Sequence, residues 1–159
     1  MRITLKQLRA AGACADQREL FKEKFGDYVD VTAALCLEHA EDFDWDWAAD
    51  NLLPRPARRA FNKAEDAAWR VFEEAQADLL RAYQKVVDQM WSGFDKPLGE
   101  VILTAKEVEA LADAQRAYME ATAPYRRAYN EATARAFAQA AELVDQNPSW
   151  SKDDNRSAE

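Results

Sequence analysis

Aromatic residues recur every eleven positions along two stretches of this chain. Phe61, Phe72 and Tyr83 keep this spacing, and Tyr118 and Tyr129 repeat it later. Eleven residues make three α-helical turns at about 3.67 residues per turn, so the rings stay on one face of a helix. Alanine is frequent between the rings and lets two helices approach closely. The pattern therefore predicts two long helices packed side by side, with rings filling the space between them.

The boundaries of these helices follow from local signals. Residues 57–91 contain no Gly or Pro, so they predict a single helix of roughly 50 Å. A connector over 92–104 follows, and Thr104 with Glu107 forms a capping box that opens a second helix to about residue 145. A short connector between two long helices predicts an antiparallel helical hairpin, with coiled-coil-like packing.

The second long helix contains an interior proline, Pro124. Proline removes a backbone hydrogen bond and clashes with the preceding turn, so the helix must kink or break there; the repeat continues in phase and favours a kink. Tyr118, Tyr125 and Tyr129 are predicted to be core residues. The full predicted apolar stripe comprises Val108, Leu111, Gln115, Tyr118, Thr122, Tyr125, Tyr129, Ala132, Ala136, Ala140 and Leu143.

The first 53 residues differ from the hairpin because helix-capping and helix-ending residues occur in them at short intervals. Helices are predicted over 5–11, 16–25, 33–40 and 44–53, with an extended connector over 28–31. The predicted fold class is therefore all-α, with a head module over 1–53 and a long helical hairpin over 54–147. Residues 148–159 are predicted to be a loose polar tail, in which Trp150 could dock back onto the protein or bind a partner.

One segment resembles a known kind of repeat. Residues 123–132 match the unit Ala-Pro-x-x-x-Ala-Tyr-x-Glu-Ala at every specified position, whereas earlier copies carry Asp66-Ala67 and Ala77-Asp78 in place of Ala-Pro. The head carries Gly12-Ala13-Cys14, Phe25-Gly26, Ala34-Leu35-Cys36, Phe43-Asp44-Trp45 and Trp47-Ala48-Ala49. Together these segments resemble a group of small phage- and prophage-encoded accessory proteins. The resemblance implies an origin in a mobile element, and it implies no activity and no site residues.

The charge and the composition narrow the possible partners and the compartment. The net charge of −8 argues against direct nucleic-acid binding, which needs a surplus of Lys and Arg. No apolar run approaches a membrane span, and the N-terminus lacks the pattern of a signal peptide. Cys14 and Cys36 are too few for a disulfide scaffold and are predicted to be buried thiols. A cytoplasmic protein of a bacterial host cell is the expectation.

Catalytic chemistry is disfavoured because the residue types that it needs are missing. His39 is the only histidine, which leaves a mixed site of Cys14, Cys36 and His39 as the one conceivable metal site, itself disfavoured. The scattered glycines build no phosphate-binding loop, and no serine lies in a nucleophile context. We therefore expect no enzyme activity, no catalytic residues, no metal and no cofactor.

Acidic and aromatic residues alternate in one short segment of the head. Its candidate binding residues are Asp42, Asp44, Trp45, Asp46, Trp47 and Asp50. In one interpretation Trp supplies anchoring area and the carboxylates attract a basic partner. In the other, the tryptophans pack the head onto the long helix, and the acids favour a helix N-terminus or neutralise the basic cluster Arg55, Arg58, Arg59 and Lys63.

Three functional hypotheses follow from the sequence. The first is a non-enzymatic phage-type accessory protein that binds a protein partner with a basic surface and inhibits a host defence or nucleic-acid-handling factor. The alternative is a self-assembling structural or scaffold protein whose hairpin forms a homodimer. A third and weaker hypothesis is a small hydrolase that uses paired carboxylates.

Overall fold

The computed structural model describes residues 1–91 and 104–150. The described part of the chain is all-α apart from one short two-stranded sheet, as the sequence predicts. In chain order its elements are β1 (Arg2–Thr4), α1 (Leu5–Ala10), α2 (Ala15–Phe25), β2 (Tyr28–Asp30), α3 (Ala33–Glu38), α4 (Trp45–Leu52), α5 (Arg55–Trp91) and α6 (Ala105–Gln146). The predicted connector over 92–104 lies outside the described residues except for Thr104.

Side-chain caps place most of the helix starts where the sequence predicts them. The hydroxyls of Thr4 and Thr32 accept hydrogen bonds from backbone N–H groups at the starts of α1 and α3, and the Asp44 carboxylate does the same for α4. At α6 the predicted capping box is present: Glu107 N donates to Thr104 Oγ1 at 3.3 Å, and Thr104 N donates to Glu107 Oε2 at 2.7 Å. These four starts are fixed by local chemistry.

The small sheet was not fully predicted. Residues 28–31 were expected to be an extended connector, and 28–30 form β2, which pairs antiparallel with β1 so that Ile3 lies opposite Val29. At the edge, the Arg2 guanidinium donates to both carboxylate oxygens of Asp30 at 2.8 Å. The pairing joins segments far apart in the sequence, so the local pattern of residues 2–4 gave no sign of a strand.

The chain divides into two compact units. The first contains Met1–Trp69 and the described residues from Tyr129 onward, and the second is Arg70–Ala128. In the first unit the head helices share one core with the beginning of α5 and the end of α6. Its fully buried residues include Phe137 on α6 and Cys36 on α3. The head predicted to end at residue 53 therefore shares its core with the two long helices.

In the second unit the rings of Tyr83 and Tyr118 on the opposed faces of α5 and α6 are half-buried, whereas Thr122 on α6 is fully buried. The ring of Tyr118 stacks on that of Tyr83 with centroids 5.4 Å apart, and its hydroxyl donates to Gln76 Oε1 at 3.2 Å. In the first unit Tyr129, eleven residues later, donates to Glu65, eleven residues before Gln76. The two tyrosine hydrogen bonds are thus equivalent contacts, one repeat apart. Because the later position on α6 pairs with the earlier position on α5, the pairing is antiparallel.

The stripe predicted for α6 was wrong at three positions. Tyr125 is 40% exposed and Val108 is 52% exposed, and Gln115 is exposed as well. In the described second unit, α5 and α6 cover each other from one side only. Large side chains on the facing stripe therefore keep part of their surface in water.

Two further expectations concern the second long helix and the tail. α6 is continuous across Pro124, so the proline does not break the helix. Trp150 is half-buried against the core of the first unit, and its backbone N–H donates to Asn147 O at 3.0 Å, so the tail is not loose at this residue. Residues 151–159 lie outside the described residues. None of the helices in the described part of the chain combines the length and apolar character needed to cross a membrane.

Candidate functional site

The structure separates the two tryptophans of the acidic–aromatic segment. Trp45 is 8% exposed, its ring lies 5.3 Å from that of Phe137, and its Nε1 donates to Ala40 O at 3.2 Å. It is therefore a core residue and offers no anchor to a partner. Trp47 is half-buried and packs against the same core, so part of its ring surface remains in contact with solvent.

The carboxylates of the segment also have different surroundings. Asp42 accepts from Lys24 Nζ at 3.1 Å and lies 2.7 Å from His39 Nδ1. The hydrogen bond to His39, followed by that to Lys24, holds the pKa of Asp42 below its ordinary value. Asp44 caps α4 by accepting from Trp47 N at 2.9 Å. These two carboxylates therefore have structural roles within the head.

Asp46 and Asp50 lie on the exposed side of α4. Partial desolvation of the Asp46 carboxylate raises its pKa, and the negative charges of Glu65, Asp44 and Asp50 raise it further. Asp50 lies 3.8 Å from Arg58 Nε, which is too long for a hydrogen bond. We call the group of Asp44, Asp46 and Asp50 at α4, together with Glu65 of α5, the acidic face of α4. The negative charges of the other three residues act together on the Asp46 carboxylate.

In the basic cluster at the start of α5, Arg58 is the member that contacts both an acidic side chain and a backbone carbonyl. Arg58 approaches Asp50 and donates to Leu53 O at 3.5 Å, while Arg55, Arg59 and Lys63 are exposed. The expected neutralisation of the acids by this cluster is thus seen for the pair of Asp50 and Arg58. α5 begins two residues earlier than predicted, because Pro56 falls in its first turn, where proline is tolerated.

The surroundings of Asp46 disfavour a negative charge, whereas those of Asp42 favour one. Replacing each aspartate with asparagine should therefore change the stability of the fold in opposite directions. The raised pKa of Asp46 means that its charged form is disfavoured in the folded state, so Asp46→Asn should raise Tm at pH 7 by about 1–3 °C. The lowered pKa of Asp42 means that its charge stabilises the fold, so Asp42→Asn should lower Tm at pH 7.

The pH dependence separates the two effects. As pH falls, the gain from Asp46→Asn should vanish below the ordinary aspartate pKa of about 4, while the loss from Asp42→Asn should persist to lower pH. Thermal melts of both variants between pH 7 and pH 3 measure this. Equal shifts of the same sign at pH 7 would contradict the assigned environments.

The two cysteines do not share one environment. Cys36 is fully buried, and burial raises its pKa to about 12. Cys14 is exposed, which corrects the expectation that both thiols are buried: it precedes the first turn of α2, beside the chain reversal at Gly12, whose φ is 82°. Among the described residues, no three His, Cys, Asp or Glu side chains group as metal ligands.

This difference predicts selective thiol chemistry. At pH 8 a disulfide reagent such as 5,5′-dithiobis(2-nitrobenzoate) should modify one thiol per native chain, because the reactive species is the thiolate and Cys36 is both neutral and shielded. Cys14→Ser should abolish the native reaction, and denaturant should release the second thiol. Equal native reactivity of both thiols would contradict this assignment.

The head also contains a cavity, partly open to solvent, that the sequence did not reveal. Its volume is about 250 Å³. Its lining consists of Ile3, Leu8, Gly12, Ala13, Cys14, Gln17, Phe21, Phe25, Val29, Val31, Leu35, Cys36, Phe43, Asp44, Trp45, Trp47, Ala48 and Leu52. We call this space the head cavity. Because its walls come from β1, β2 and all four head helices, no local pattern could have indicated it.

Comparisons with protein-family models, with curated proteins and with solved structures find no match to this chain.

Proposed function

We propose that this chain is a non-enzymatic binding protein that docks a basic surface of a protein partner through the acidic face of α4. The observation that carries the proposal is the grouping of Asp44, Asp46, Asp50 and Glu65, whose charges act together on Asp46. A partner that supplies Lys or Arg would relieve this repulsion on binding. The exposed part of Trp47 adds apolar contact area next to the charges.

The resemblance to phage-encoded accessory proteins supports a host factor as the partner. In this proposal the protein acts in the cytoplasm of a bacterial host cell. The partner surface normally holds nucleic acid, and the carboxylates of the acidic face take the place of phosphates. Binding of this kind is steered by charge, so its association rate should fall steeply as salt rises.

A matched pair of triple variants tests the proposal. Asp44→Asn, Asp46→Asn and Asp50→Asn together remove three charges from the acidic face, and asparagine at position 44 can still cap α4. The control, Asp78→Asn, Asp88→Asn and Asp113→Asn, removes the same charge from the second unit. Tagged versions of both are used to capture partners from bacterial lysate at low salt.

The acidic-face variant should lose the partner that the native chain and the control retain, and the native capture should weaken with added salt. Capture of the same proteins by all three chains would contradict the proposal. Asp42 is left unchanged because its bonds to Lys24 and His39 support the fold.

A second candidate function, self-association, is favoured by exposed apolar residues in the second unit. Leu80 is 47% exposed on α5, and Val108 and Met119 are 52% and 44% exposed on α6. Val108 and Met119 are eleven residues apart and so lie along one line of the helix. In this alternative that surface pairs with a second copy of the chain. Light scattering at tens of micromolar should then give a dimer that Leu80→Lys and Met119→Lys dissociate, whereas a native monomer would contradict it.

A further inference from the structure

The head cavity has walls that are almost entirely apolar and unusually rich in aromatic rings. Phe25 stacks on Phe43 with centroids 5.7 Å apart, and Phe21 meets Phe25 edge to face at 5.3 Å. Phe43 in turn meets Trp45 at 6.0 Å. Each ring is held by another ring, so the wall is preorganised, and aromatic faces and edges of this kind pair well with a further planar ring.

The charges around the cavity limit what could enter it. Asp44 is the one lining residue with a charged side chain, and its carboxylate already accepts a hydrogen bond from Trp47 N. An anion would be repelled by Asp44, and a cation would lose most of its hydration against apolar walls. Gln17, whose Nε2 donates to Asp42 O at 3.3 Å, places a carboxamide on the wall that can meet one N–H or O–H group of a ligand.

The volume sets the size of the guest. An apolar cavity of about 150 Å³ is known to hold benzene, so a cavity of about 250 Å³ corresponds by proportion to about ten non-hydrogen atoms, or two fused rings. The cavity is partly open to solvent, and three of its lining residues, Gly12, Cys14 and Asp44, are exposed.

We infer that the head cavity is a binding site for a small, uncharged, planar aromatic molecule of about two fused rings. The ring of the guest packs among Phe21, Phe25 and Phe43, and its single polar group meets the Gln17 carboxamide. This site differs from the docking surface for a protein partner in its ligand, which is uncharged, and in its aromatic wall of Phe21, Phe25 and Phe43, although Asp44 and Trp47 border both.

Calorimetric titration of the full chain with indole and with 2-naphthol tests the site. Both should bind saturably with one molecule per chain, and 2-naphthoate, an anion of similar size, should bind at least about tenfold more weakly. Ala48→Leu fills part of the cavity and should weaken indole binding by about tenfold or more. Ala112→Leu, on the exposed side of α6, is the matched control and should leave binding unchanged.

Circular dichroism establishes whether Ala48→Leu remains folded. If it does not, Leu35→Ala serves instead: it enlarges the cavity and should shift the preference from indole toward a three-ring compound such as carbazole. The inference is overturned if neither indole nor 2-naphthol binds saturably. It is also overturned if 2-naphthoate binds as well as 2-naphthol, or if a folded cavity variant binds with unchanged preference.

Discussion

Replacing Phe137 with alanine should lower the free energy of unfolding by about 3–5 kcal/mol. Phe137 has no exposed surface, and its ring lies 5.3 Å from that of Trp45. Its removal takes away the burial of a large ring and leaves a cavity that the surrounding helices can close only in part. Because net stabilities of single domains are about 5–15 kcal/mol, the loss is a large fraction of the total.

The neighbours of Phe137 explain why little relaxation is expected. Ala134, Ala138 and Ala141 on the same helix are all buried and small, which indicates close contact of α6 with the head. Methyl groups cannot reach across the space that a phenyl ring vacates. The cost should therefore lie near the upper part of the range for Phe→Ala substitutions.

Urea unfolding followed by circular dichroism and by tryptophan fluorescence measures this effect. Tyr125→Ala is the matched control, because it removes a ring of similar size from the same helix at a position that is 40% exposed. Its cost should be small, within about 1 kcal/mol. Equal destabilisation by the two substitutions would mean that Tyr125 is a core residue after all, as the helical spacing had predicted.

The sequence predicted this fold well wherever the cause was local. Thr4, Thr32, Asp44 and Thr104 each cap the helix that follows, since a hydroxyl or carboxylate there can satisfy a free N–H group a few residues away. The eleven-residue spacing likewise predicted the long helices. Because this spacing matches the helical repeat, it shows which face of each helix is turned inward.

Periodicity does not show how completely a face is covered. Tyr125 and Phe137 both lie on α6, yet Phe137 is packed by the head from several directions, whereas Tyr125 lies in the unit built from two helices alone. Burial therefore depends on how many elements surround a position, which is a property of the tertiary structure. The β1–β2 pairing could not be predicted for the same reason: each strand is only three residues long and depends on a partner that is distant in the sequence.

The sequence showed that acidic and aromatic residues alternate in the candidate site, but it did not show which of their side chains are buried. Asp44 and Asp50 lie close enough to Asp46 for their charges to act on it, whereas Asp42 is bonded to Lys24 and His39. The sequence did not show that Trp45 turns inward while Trp47 stays half-buried, because positions two apart on a helix differ in direction by about 200° and the packing of the head determines which one is buried. The head cavity could not be predicted at all, since residues from six elements line it.

Trp45→Ala should cost about 3–5 kcal/mol of unfolding free energy, and more than Trp47→Ala. Trp45 is 8% exposed, and its loss would also leave Ala40 O without the hydrogen bond from the indole N–H. Trp47 is only half-buried, so less area returns to water when it is truncated. Urea unfolding of the two variants under identical conditions measures the difference.

A double-mutant cycle shows how much of this cost belongs to the contact with Phe137. Because the two rings touch, the double variant should be less destabilised than the sum of the single variants, with a coupling of about 0.5–1.5 kcal/mol. Strict additivity would mean that the rings are stabilised by other neighbours and that the assigned contact contributes little.

The conservative variant Trp45→Phe then separates stability from binding. Phenylalanine keeps an apolar ring in the core, so this variant should stay folded while losing the bond to Ala40 O. If Trp45 acts only within the core, the folded variant captures the same partner as the native chain, and neutralising the acidic face still abolishes capture. The opposite result would be that a folded Trp45→Phe chain loses the partner while the variant with a neutralised acidic face still captures it. That result would assign partner binding to the aromatic core of the head.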